Sequence, residues 1–230
     1  MRRKRMRILI IFATAGILCS CGRERREIQI VEPESVLTES TARTGEEEGD
    51  WKLELVNRWN PMQTDGGEVE TVTLSNGERV DARIYPQLQN MFDTARANGV
   101  YPVVASGYRT WEEQEALYEE KIAGYEAEGL SEEEARAEAE RWVAIPGTSE
   151  HQLGLGVDIN ADGVYSSGEE VYNWLAQNAY RFGFIYRYPS DKTEITGIAN
   201  EPWHYRYVGV EAAEEITSLG VCLEEYLGAS

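Results

Sequence analysis

The sequence predicts an α+β domain with a small, largely antiparallel sheet and helices packed around it. Three observations lead there. Asn76-Gly77 lies between two short runs of β-forming residues, and Asn-Gly in that position is a strong hairpin signal. Further short apolar runs, Val100 to Ala105, Phe184 to Tyr188 and Trp203 to Val208, read as strands. Thr110, Ser131 and Ser167 each stand three residues ahead of a glutamate, the capping-box pattern that opens a helix. The chain has no internal repeats.

The N-terminus carries an address and not a fold. Arg2, Arg3, Lys4, Arg5 and Arg7 form a basic start, and Ile8 to Leu18 form an apolar stretch of 11 residues. That is short for a bilayer span and has the layout of a secretory signal. It ends in Leu18-Cys19-Ser20-Cys21-Gly22, which resembles a bacterial lipobox with Cys21 as the lipidated residue. Residues 22 to about 50 are rich in Glu, Arg, Ser and Thr and poor in aromatics, the composition of a disordered tether. The expected organisation is a lipoprotein signal peptide over 1–20, a lipidated Cys21 and tether over 21–50, and a folded domain over 51–230. That domain would sit outside the cytoplasm, anchored to the cell membrane. The formal charge is −19, and loss of the first 20 residues, five of them basic and none acidic, takes it to −24. A domain so acidic lacks the basic footprint of a nucleic-acid surface. Of the three cysteines only Cys222 falls in the folded part, in an apolar setting, so a buried inert thiol is expected and an internal disulfide is not.

Within the domain, Val69 to Leu74 and Glu78 to Ala82 form the hairpin arms. Pro86 opens a helix with Leu88, Met91, Phe92 and Ala95 on one face, and Gly99 stops it. Val100 to Ala105 is a strand, and the capping box at Thr110 starts a helix just after Ser106-Gly107-Tyr108-Arg109. Residues 119–142, dominated by Glu and Ala, read as a mostly solvated helical excursion broken at Gly124 and Gly129. The helix begun at Ser167 buries Val171, Trp174 and Leu175 and ends near Gly183. Two strands and a last helix, from about Glu211 to Leu219, complete the domain.

The chemistry points to two short segments that hold the chain's only two histidines. In Ser149-Glu150-His151-Gln152-Leu153-Gly154-Leu155-Gly156-Val157-Asp158, the glycines disfavour helix and Gly154 to Ile159 alternates like a strand. His151 then sits at a turn and Asp158 on the strand after it. In Glu201-Pro202-Trp203-His204-Tyr205-Arg206-Tyr207, proline and the aromatics favour extended chain. Trp203, Tyr205 and Tyr207 share one face, expected to be core, and His204 and Arg206 share the other, with His204 pointing into a cleft. Two imidazoles and one carboxylate match a catalytic zinc site, whose three protein ligands leave a fourth position open. Glu201, just ahead of the strand, is placed to act as a base.

The two segments together, Ser149-x-His151-x-x-Gly154-x-Gly156-x-Asp158 and Glu201-x-x-His204, resemble the zinc signature of the VanY-type D-alanyl-D-alanine carboxypeptidases. Ser106-Gly107-Tyr108-Arg109 with Gln114 is similar to that family's upstream motif, and the likeness covers about residues 51–227. One departure is Gly156, where the family often has alanine. The resemblance implies a hedgehog-like D,D-peptidase fold and one zinc per domain, bound by His151, Asp158 and His204. It implies that Glu201 is the general base and then the acid that protonates the leaving amine. Arg109 would hold the substrate carboxylate or the developing oxyanion, and Ser149 and Gln114 would position the peptide. The implied substrate is a peptidoglycan stem peptide that loses its C-terminal D-alanine. An L,D-carboxypeptidase, a D,D-dipeptidase and a non-catalytic zinc-stabilised wall-binding module remain alternatives, the last disfavoured by Glu201.

Overall fold

The computed structural model describes residues 51–62 and 69–229; the expected signal peptide, Cys21 and tether lie outside them. After a 3-10 turn at Trp51–Leu53, β1 (Thr71–Thr73) and β2 (Arg79–Asp81) pair as an antiparallel hairpin. Gly77 turns it at φ +92°, a conformation that costs glycine no β-carbon clash. Helix α1 (Tyr85–Ala97) has Pro86 in its first turn, where an amide hydrogen would go unpaired anyway. It buries Leu88, Met91, Phe92 and Ala95, spaced i, i+3, i+4 and i+7. Burial of each of the three large side chains contributes about 1.5–3 kcal/mol.

The order then runs β3 (Pro102–Ser106), α2 (Trp111–Ala127), α3 (Glu132–Ala139), β4 (Gly156–Ala161) and α4 (Gly168–Asn178). It continues with β5 (Phe184–Tyr186), α5 (Thr193–Thr196), β6 (His204–Tyr207), α6 (Val210–Leu219) and α7 (Leu223–Tyr226). The capping boxes at Thr110, Ser131 and Ser167 all form, each hydroxyl accepting from the amide three residues on. Four strands make one sheet in the order β3-β4-β6-β5, every neighbouring pair antiparallel. Val104, Val157, Ile159, Phe184 and Tyr205 of that sheet join Leu88, Met91, Val171 and Leu175 in the main core. Cys222 is a buried free thiol.

Register sets up the site. Asp158 on β4 lies between Ser106 on β3 and His204 on β6, with an irregularity in β3 between Val104 and Ser106. Directly opposed residues on antiparallel strands are about 4.5–5.5 Å apart at Cα, close enough for their side chains to share one partner.

Three expectations change. Helix α2 runs through Gly124 and ends only before Gly129, which takes φ +101°. A mid-helix glycine costs about 1 kcal/mol, and packing outweighs that. Tyr118 and Ile122 bury against Ala135 and Ala139, so the excursion has a small core of its own and is not mostly solvated. Trp203 does not share the core face of Tyr205. It precedes β6 in a turn where the His204 amide donates to the Glu201 carbonyl, so strand alternation does not reach it, and it lines the cleft instead. Arg206 does share a face with His204, both reaching the Glu150 carboxylate, and it is wholly buried there. The short helices α5 and α7 carry no periodic signal and appear only in the structure.

Candidate metal centre and active site

A cleft of about 350 Å³ opens on one side of the sheet, and His151, Asp158 and His204 line it. One donor atom from each lies within 4.8 Å of the others. Asp158 Oδ1 is 3.0 Å from His204 Nδ1 and 3.5 Å from His151 Nε2. Donors around a tetrahedral zinc at its usual bond lengths stand about 3.3 Å apart, so these separations fit that ion.

The remaining ring nitrogens are fixed from behind. His151 Nδ1 lies 2.7 Å from the Gly107 carbonyl, which holds a proton there and leaves Nε2 with a lone pair that could bind a metal. His204 Nε2 lies 3.3 Å from Glu150 Oε2, which leaves Nδ1 facing Asp158. Burial alone would lower His204, but hydrogen bonds to Asp158 and Glu150 outweigh it and lift the imidazole to about 9. Burial lowers His151, with the Arg109 charge adding to the effect. Burial would raise Asp158, yet the two imidazoles hold its carboxyl well below the ordinary value.

Glu201 stands with Oε2 3.8 Å from His204 Nδ1. Burial pushes its carboxyl up to about 7, against the pull of His204 and Arg109. A buried carboxylate that titrates near neutrality suits proton transfer in both directions.

Arg109 is held on the far side of Asp158. Its Nε and Nη2 donate to Ser106 Oγ, Nη1 donates to Gln114 Oε1, and Nη2 reaches Asp158 Oδ2 at 3.3 Å. Four of its five N–H groups are therefore engaged within the protein and one is left for a ligand. Gln114 is wholly buried, with its amide nitrogen on the Ala144 carbonyl, so it touches Arg109 and does not line the cleft. Ser149 does line it. The loop that carries Ser149 passes Gly147 at φ +84°, where a β-carbon would sit 2.7 Å from Trp111 at the start of α2. At Gly156 a β-carbon would sit 3.2 Å from the His204 ring and from Glu150 Cβ.

The site residues expected from the sequence are His151, Asp158, His204, Glu201, Arg109, Ser149 and Gln114. The structure brings all but Gln114 to the cleft wall. It adds residues that the reading missed. Glu150 is buried, with Oε1 accepting from Arg187 Nε at 2.7 Å and Arg206 Nη1 at 2.9 Å. Arg187 also pairs with both carboxylate oxygens of Glu224, which accepts from Asn57 as well. The signal was there: Arg187 and Arg206 stand among aromatic and apolar strand residues, and a buried guanidinium requires a carboxylate. Tyr188, which the sequence already offers as a lining residue in Arg187-Tyr188-Pro189, does line the cleft, with its ring 4.8 Å from that of His204.

Known proteins are similar to this chain. The family model for VanY, D-alanyl-D-alanine carboxypeptidase, matches residues 77–210. A D-alanyl-D-alanine carboxypeptidase of Enterococcus faecalis is 64% identical over 192 residues, covering 82% of this chain and 71% of that protein. The solved structure of VanYB in complex with D-alanine-D-alanine is 64% identical, covers 78% of this chain and 99% of that one, and superposes with a TM-score of 0.75. A mutant of the vancomycin-resistance D,D-pentapeptidase VanY from a VanB-type cassette, solved with Zn(II), is 65% identical with a TM-score of 0.74, covering 77% of this chain and 99% of that one.

Proposed function

The chain belongs to the VanY family of D-alanyl-D-alanine carboxypeptidases, and from that premise we propose how its residues divide the work of a zinc-dependent carboxypeptidase. The enzyme removes the C-terminal D-alanine from peptidoglycan stem peptides. The observation that carries the assignment is the convergence of His151, Asp158 and His204 beside a buried Glu201. His151 through Nε2, Asp158 through Oδ1 and His204 through Nδ1 would hold the zinc. The ion supplies Lewis acidity, polarising a carbonyl and making water nucleophilic near neutral pH.

The other groups act on protons and charge. Glu201 takes the proton of the attacking water on its carboxylate and returns it to the leaving amine. Arg109 offers one N–H and a positive charge to the oxyanion or the terminal carboxylate, while Ser106, Gln114 and Asp158 hold its guanidinium still. Gln114 thus helps substrate only through Arg109. Ser149 and Tyr188 shape the wall against which the peptide lies.

We also read residues 1–20 as a lipoprotein signal, Cys21 as the lipid attachment point and 21–50 as a tether. The basic start, the apolar run and the lipobox-like end support that reading. It sets the domain at the outer face of the cell membrane, where its substrate lies. The direct test of the activity is mass spectrometry of pentapeptide and tetrapeptide stems after incubation with the soluble domain. Loss of one D-alanine from the pentapeptide is expected. Cleavage of the tetrapeptide alone would make the enzyme an L,D-carboxypeptidase.

A further inference from the structure

The cleft does not end at the metal ligands. It continues along α2, where Leu117 and Lys121 form one wall together with Trp142 and Val143. Gln114, Leu117 and Lys121 are spaced i, i+3 and i+7, so they lie on one stripe of the helix. That stripe begins at the residue that holds Arg109 and ends at a cation.

Lys121 is unusual here. It is the sole cation on α2, among Glu112, Glu113, Glu115, Glu119, Glu120 and Glu126. Among the described residues, two lysines or arginines line the cleft, Arg109 and Lys121. Arg109 pairs with Asp158 beside the candidate metal site and keeps one N–H for a ligand there. Lys121 makes no ion pair among the described residues; its ammonium lies 5.1 Å from the Tyr125 ring centroid. By contrast Lys192 is bound to Glu225 at 2.8 Å. Glu120 and Glu128 line a neighbouring hollow that shares Leu117 and Lys121 with the cleft, and they repel an anion there. An incoming carboxylate therefore meets a cation on the cleft side alone.

We propose that the cleft carries a second cationic subsite, centred on Lys121, which binds a substrate carboxylate about three residues ahead of the C-terminus. The spacing follows from helix geometry. Seven residues of α2 separate Gln114 from Lys121, about 10 Å along the axis. An extended peptide covers that distance in about three residues. Stem peptides carry a carboxylate in that region where a γ-linked D-glutamate leaves its α-carboxyl free. Leu117 and Trp142 bound the intervening stretch with apolar surface. The inference rests on the carboxypeptidase reading above and names a determinant of its substrate preference.

The test uses three peptides that end in D-Ala-D-Ala: a pentapeptide with the γ-linked glutamate α-carboxyl free, the same pentapeptide amidated there, and an N-acylated Lys-D-Ala-D-Ala tripeptide. Wild type should cleave the free-acid pentapeptide with the highest kcat/KM. Lys121→Met should lose about tenfold on that peptide, mainly in KM, which is the size of one charge-assisted hydrogen bond. It should leave the amidated pentapeptide and the tripeptide near their wild-type rates. Lys121→Arg should restore the preference. Equal rates of wild type and Lys121→Met on the free acid would overturn the proposal. So would a uniform loss on all three peptides, which would mean that Lys121 shapes the cleft without reading charge. If wild type cleaved none of the three, the carboxypeptidase reading would fall first and this inference with it.

Discussion

Glu201 and the proposed metal ligands sit within one small volume, yet a conservative substitution separates their roles. Glu201→Gln keeps the shape and removes the ability to take a proton. It should retain zinc by metal analysis while turnover falls by about 10²–10⁴. Wild-type turnover in that variant would remove Glu201 as the base. Glu150 works one layer back. Its Oε2 sets the tautomer of His204, and its Oε1 holds Arg187 and Arg206. A group that orients a ligand in this way typically contributes 10- to 100-fold in metal affinity. Glu150→Gln should weaken zinc binding by about that factor in competition with a chelator, with near-ultraviolet circular dichroism confirming that the zinc-loaded domain is folded. Unchanged affinity would reduce Glu150 to a partner of the two arginines.

At the scale of elements, α7 is a single helical turn, too short to be stable alone. Its anchor is Glu224, which pairs with Arg187 just beyond β5 and accepts from Asn57. Breaking a buried pair by removing one charge costs about 3–5 kcal/mol, because the other charge is left uncompensated. Glu224→Gln should therefore lower the unfolding free energy by about that much in a denaturant titration. Burial alone would raise the Glu224 carboxyl, but Arg187 and Asn57 outweigh it and hold it below its ordinary value of 4.5. A carboxyl depressed in the folded state stabilises fully above its unfolded value, and the contribution fades as pH falls through the folded one. Wild type should thus lose stability on acidification below about pH 4.5, and Glu224→Gln should show a shallower acid limb. Parallel limbs would show that other carboxylates carry the acid response.

At the scale of the whole molecule, the acidic domain is an awkward candidate for holding itself on an anionic membrane by charge, and the proposed lipid on Cys21 would supply the attachment instead. Cys21→Ser should move the protein from the membrane to the soluble extracytoplasmic fraction, or leave an unprocessed precursor. The check is fractionation followed by mass measurement of the N-terminal peptide. Wild-type protein found in the cytoplasm would refute both the signal and the wall substrate.

Local rules made much of this legible in advance. The Asn76-Gly77 hairpin, the three capping boxes and the buried face of α1 each depend on residues within a few positions of one another, and each formed as read. The candidate metal-binding residues were legible for another reason: two histidines in a chain of 230 residues leave few ways to build a metal site. What the sequence alone determined, then, was most of the elements and which residues are candidates to hold the metal. The tertiary structure decided how they meet. The register of β4 between β3 and β6 puts Asp158 beside both Ser106 and His204. Glu150, Arg187, Arg206 and Glu224 come from four distant segments, and only folding turns them into one buried network. Gln114 moved from the cleft to the support of Arg109, and Lys121 moved from an acidic solvated run to the cleft wall. Each of these depends on side chains far apart in the chain, whose contacts are set by packing and register and leave no periodic trace in the sequence.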